Sequence, residues 1–138
     1  NFPNGAVITP DGGTLIVAET FAHCLTAFAR AADGTLSGRR EWAALGERTP
    51  DGICLDAAGG IWVASFMTDE FIRVEAGGKV THVVPCSGRR AVACNLGGAD
   101  GRTLFALTYE GEIADMASGA KNARVEVCHV EAGTSGSP

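Results

Sequence analysis

PNGAVITPDGGTLIVAET (residues 3–20) and PDGICLDAAGGIWVASF (50–66) are two copies of one pattern. In each, Pro-X-Gly opens an apolar run, a Gly turn follows, and a second apolar run begins. Pro3 aligns with Pro50, Gly5 with Gly52, Gly13 with Gly60, and the Val-Ala pair at 17–18 with that at 63–64. A third copy, VACNLGGADGRTLFAL (92–107), lacks the Pro-X-Gly start, and Val92 falls where Asn4 and Asp51 sit. Gly5 and Gly52 lie 47 residues apart, and Gly52 lies 41 from the matching Ala93. Further strand-like runs follow each copy: 24–30 and 40–45, then 71–76 and 80–85, then 124–130. Short strands between Gly turns, repeating every 40–50 residues or so, predict an all-β fold of the β-propeller type. The repeat divides a domain over 1–130 into about three four-stranded blades at 3–47, 50–88 and 91–130. The small, polar stretch 131–138 predicts a flexible tail.

Composition narrows the function. The chain has 138 residues, is 46% hydrophobic and carries a formal charge of -5. It is long enough for one packed domain. Its acidity, with no basic stripe, argues against nucleic acid and favours a cation or a neutral partner. The apolar runs are too short to cross a membrane as helices. Five cysteines with no CxxC pair read as reduced core residues, an argument for the cytoplasm. Trp42 and Trp62 read as blade-packing residues, and His82 and His129 as structural or surface positions.

The chemistry sits at the start of the repeat. In a propeller the innermost strand of each blade begins beside the central channel, so equivalent residues there converge. Asn4 and Asp51 are equivalent, and each precedes a Gly that permits close backbone approach. An amide oxygen and a carboxylate suit a hard divalent cation. Asn-Gly and Asp-Gly are also ordinary turn formers, and that reading stands beside the metal one.

The ordered set of motifs from FPNGAVITPDGGTLIVAET through PDGICLDAAGGIWVAS to LGGADGRTLF resembles the senescence marker protein/gluconolactonase/luciferin-regenerating enzyme family over residues 2–108. The resemblance is to the C-terminal half. It implies a six-bladed propeller and a metal-dependent lactonase. It also implies a divalent ion (calcium or zinc, with magnesium or manganese as alternatives) held by Asn4 and Asp51. The family's third ligand, a Glu, lies upstream of the matching region. Asp51 then serves as ligand and as general base.

Three blades do not close a ring. The expectation is a homodimer of two arcs or a missing N-terminal half. Glu19, His23, Phe66, Met67 and Cys94 are the candidates for lining the substrate site. Thr20 reads as a solvated loop residue, and Thr108 and Tyr109 hold the matching place in the third copy. The substrate expected is a small sugar lactone or related ester. The rival is a non-catalytic cation- or ligand-binding half-propeller.

Overall fold

The computed structural model describes residues 1–136. Eleven strands form three separate antiparallel sheets. The first holds β1 (Pro3–Ile8), β2 (Thr14–Glu19), β3 (Cys24–Arg30) and β4 (Leu36–Ala44) in chain order. The second holds β5 (Pro50–Leu55), β6 (Ile61–Ser65), β7 (Glu70–Val74) and β8 (Val80–Pro85). The third holds β9 (Arg90–Gly97), β10 (Thr103–Tyr109) and β11 (Ala123–His129). These are three consecutive propeller blades. The third has three strands where four were expected. A short exposed helix, α1 (Ile113–Ala117), fills the β10–β11 connection, with Glu112 and Asp115 forming its capping box. No helix is long and apolar enough to cross a membrane among the described residues.

The middle sheet is buried on both faces, which explains why β6 reads as a continuous apolar run. Successive side chains on a strand point to opposite faces. Ile61 and Val63 enter one core with Ile16, Leu25, Ile72 and others of the first and second blades. Trp62 and Ala64 enter a second core with Phe71, Cys94, Leu104 and Ala106, between the second and third blades. The end blades have one bare face each. Ile8, opposite Leu15, is exposed on the first. Leu107 with its partner Val125, and Val127 beyond it, are exposed on the last.

The inner strands β1, β5 and β9 lie side by side. A Cβ on Gly5 would stand 2.6 Å from Ile53 N and 2.7 Å from the Asp51 carbonyl oxygen. A Cβ on Gly52 would stand 2.6 Å from Ala93 Cα. Glycine is required at Gly5 and Gly52 because backbone meets backbone there.

Each inner strand also breaks register at the same point. The break falls between Pro3 and Ala6 in β1, between Pro50 and Ile53 in β5, and at Val92 in β9, opposite Leu107 and Thr108. Such a bulge releases a residue from strict alternation and re-aims its side chain. The residues so released include Asn4, Asp51 and Val92.

A buried ion pair pins the β5–β6 turn. Arg73 Nε donates to Asp56 Oδ2 at 2.6 Å and its Nη2 to Oδ1 at 3.2 Å. Asp56 Oδ1 also accepts the backbone N–H groups of Ala58 and Gly60, each at 2.9 Å. The segment expected to be a free tail docks on this turn through residue 136. Thr134 bridges to Asp56, the Ala57 N–H donates to the Gly133 carbonyl at 2.8 Å, and Ser135 Oγ donates to the Leu55 carbonyl at 3.2 Å. Small polar residues bonded through backbone leave no apolar period in the sequence. Residues 137–138 of that expected tail lie outside the described residues.

Candidate metal and substrate site

The bulges bring Asn4 and Asp51 together at the start of adjacent inner strands. Burial pushes the Asp51 carboxyl above the ordinary aspartate range, and a hydrogen bond from the Asn4 side chain partly offsets this. Asn4 Nδ2 also reaches Thr20 Oγ1 at 3.5 Å. Thr20 Oγ1 in turn donates to the Pro50 carbonyl at 2.7 Å. Buried Thr20 therefore ties the Asn4 strand to the residue before Asp51. Asn4 directs its N–H group to these neighbours, and among the described residues no donor occupies its Oδ1. One amide oxygen and one carboxylate fit part of a hard-cation site. No group of three or more His, Cys, Asp and Glu side chains able to hold a metal occurs among the described residues.

The rim is built by the segment after each second strand. Thr20 N donates to the Phe2 carbonyl at 3.1 Å, and Phe66 N donates to the Thr49 carbonyl at the same distance. Phe66 is thus the second-blade counterpart of Thr20. By the β9–β10 register, Tyr109 is the third. The Arg90 guanidinium lies 5.8 Å from the Phe66 ring centroid, a cation–π contact. Met67 is exposed, and its N–H is held by Thr49 Oγ1 at 2.8 Å. Phe2 packs against Phe21 in a tilted pair with centroids 4.9 Å apart. The buried Tyr109 hydroxyl has no hydrogen-bond partner among the described residues.

The other expected site residues lie elsewhere. His23 takes a left-handed φ of 54° and its Nδ1 bonds the Arg48 carbonyl oxygen at 2.9 Å, joining two loops. Cys94 points into the second core, with its Sγ near the Trp62 and Gly52 carbonyls. It also lines a cavity of about 300 Å³ along the inner strands, which neither Asn4 nor Asp51 lines. Glu19 turns to the bare face of the first blade. It accepts hydrogen bonds from Thr26 Oγ1 and Arg39 Nη2, the latter at 2.7 Å.

Hydrogen bonds from Thr26 and Arg39 hold the Glu19 carboxyl below the ordinary 4.5. A carboxyl lowered by folding adds stability above its unfolded value. That stability fades as pH falls below 4.5. Glu19→Gln is expected to flatten the acid limb of the urea midpoint there. An acid limb as steep as the parent's would assign the loss to other carboxylates.

Thr20, expected as a solvated loop residue, is instead buried at the site. Its signal was available in the repeat: Thr20 aligns with Phe66, so the two copies differ where the rim begins.

A profile described as the SMP-30/Gluconolactonase/LRE-like region matches residues 1–110. A gluconolactonase from Xanthomonas campestris is 32% identical, with a TM-score of 0.64 over 75% of this chain and 34% of that one. A luciferin-regenerating enzyme matches at 16% identity, with a TM-score of 0.80 over 96% of this chain and 46% of that one. Regucalcin from Agrobacterium tumefaciens, a calcium-binding protein, matches at 22% identity, with a TM-score of 0.74 over 96% of this chain and 47% of that one. The last two bear on the fold alone. The chain spans less than half the length of each of the three.

Proposed function

The chain belongs to the SMP-30/gluconolactonase/LRE-like family, and on that premise we propose that it carries part of the site of a metal-dependent lactonase acting on a small sugar lactone or related ester. The supporting observation is that Asn4 and Asp51 stand at equivalent bulges of adjacent inner strands, with the Asn4 side chain close enough to influence the Asp51 carboxyl. A turn alone does not require an amide in one copy touching a carboxylate in the next. A cation site there would use the Asn4 amide oxygen and the Asp51 carboxylate as ligands. Oxygen donors suit calcium, magnesium or manganese better than zinc. Calcium takes about six to eight oxygens, so water and groups outside the described residues complete the set in this reading.

A bound cation would supply Lewis-acid polarisation of the lactone carbonyl. Asp51 takes the proton from the water that attacks the carbonyl carbon. The ring C–O bond then breaks, and the leaving oxygen receives the proton that Asp51 took. Thr20 fixes Asn4, and Phe66 and Met67 shield the mouth from water. Three further blades, from an upstream segment or a second copy, cover the two apolar end faces. Free thiols throughout the chain fit a cytoplasmic setting. A second reading is a non-catalytic cation- or ligand-binding half-propeller.

The test is calorimetric titration of the chain with calcium, paired with light scattering and a gluconolactone hydrolysis assay. Asp51→Ala is expected to weaken calcium binding at least about tenfold, which is about 1.4 kcal/mol. Unchanged binding would remove Asp51 from the site. Binding without hydrolysis, in a closed assembly, would favour the second reading.

A further inference from the structure

Cys54 on β5 and Cys94 on β9 belong to different blades, yet their Sγ atoms are 3.7 Å apart. Their strands meet backbone to backbone just before them, at Gly52 and Ala93. Both cysteines line the cavity of about 300 Å³, which brings a small neutral molecule to the strands that carry them. All five cysteines are free, and this is the sulfur pair in hydrogen-bond contact among the described residues.

We propose that Cys54 and Cys94 are an oxidative modification site, a thiol pair that a hydroperoxide converts to a disulfide linking the inner strands of the second and third blades. A sulfur–sulfur bond is about 2.0 Å long, so the atoms must close the remaining gap by side-chain rotation. The thiolate of one residue attacks the O–O bond, forms S–O and releases an alcohol, or water from hydrogen peroxide. The second sulfur attacks the resulting sulfenic acid. The S–S bond forms, S–O breaks, and water leaves with the second thiol's proton. The two sulfurs together lose two electrons and the peroxide gains two. Contact with Cys54 and burial raise the Cys94 thiol well above the ordinary cysteine value, so alkaline conditions speed the reaction. The inference stands apart from lactone chemistry.

The test uses the 138-residue chain and hydrogen peroxide at mildly alkaline pH. Peroxide is then removed, and thiols are capped with N-ethylmaleimide in denaturant. The expected result is two fewer capped thiols than the five of the sequence. A mass lower by about 2 Da before capping accompanies it. The cross-linked tryptic peptides end at Arg73 and Arg102, and dithiothreitol reverses the link. Cys54→Ala abolishes that cross-link, while Cys24→Ala retains it. Five intact thiols, sulfinic acids without a cross-link, or a bridge between Cys86 and Cys128 would each overturn the proposal.

Discussion

Asp56→Ala is expected to lower the unfolding free energy of this chain by about 3–5 kcal/mol, because it strands a charge. Asp56 is fully buried and the Arg73 side chain is 8% exposed. Removing the carboxylate leaves the guanidinium with little water and with its strongest partner gone. The N–H groups of Ala58 and Gly60 lose their acceptor in the same step. Gly60 cannot be enlarged to fill the gap, since its Cβ would stand 2.3 Å from Arg73 Nη2. Glu75 and Thr81, at 3.3 and 3.0 Å from Nη1, hold one edge of the guanidinium but do not replace the lost pair. The reverse change, Arg73→Met, strands the fully buried Asp56 carboxylate in its turn and is expected to cost a comparable amount, about 3–5 kcal/mol. Urea midpoints for both variants at neutral pH check this. A loss below about 1 kcal/mol for Asp56→Ala would mean that water reaches Arg73.

Gly52→Ala is the second large effect, expected at about 1–3 kcal/mol or more from overpacking. The added Cβ meets Ala93 Cα and Cβ, each at 2.6 Å, so a backbone must move. Gly13→Ala is the control. Its nearest contact would be the Asp11 carboxylate at 3.4 Å, an ordinary distance beside a mobile side chain. Adding Ala93→Gly to Gly52→Ala removes one of the two close atoms and leaves Cα, so rescue is expected to be partial. Full rescue would show that a methyl, and not the strand itself, sets the spacing. The same shift displaces Asp51, so calcium affinity should fall with stability.

Much of this was legible in the repeat. Gly5 and Gly52 marked the inner strands by sharing an offset from proline, and their close packing is the reason for that offset. The alternation of Ile61, Trp62, Val63 and Ala64 carried two cores at once, which is why it read as an unbroken apolar run. The register breaks were invisible, because a bulge changes pairing and leaves composition alone. The missing fourth strand of the third blade left no signal either, for α1 is too short to show a helical stripe. Glu19 was expected to line the substrate site, but the alternation of β2 turns it from the core. Turning from the core of the first blade means facing the bare end of the arc, and that depends on which blades are present. Asn4 and Asp51 could be paired from the repeat, but their role as ligands came from family resemblance. Thr20 escaped because a buried hydroxyl bonded to a backbone carbonyl looks, in sequence, like any loop threonine.

Every strand ladder joins neighbours in the chain, while each core joins two blades. The consequence is an order of events during synthesis. The first blade can pair its own strands as soon as it leaves the ribosome, since its hairpins need only short loop closures. Its apolar face then waits, because the core it belongs to includes Ile72 and Val74 and cannot close before the second blade has emerged. For that interval Ile16, Leu25 and Ala43 stand uncovered on a formed sheet, the stage at which a nascent chain depends most on its chaperones.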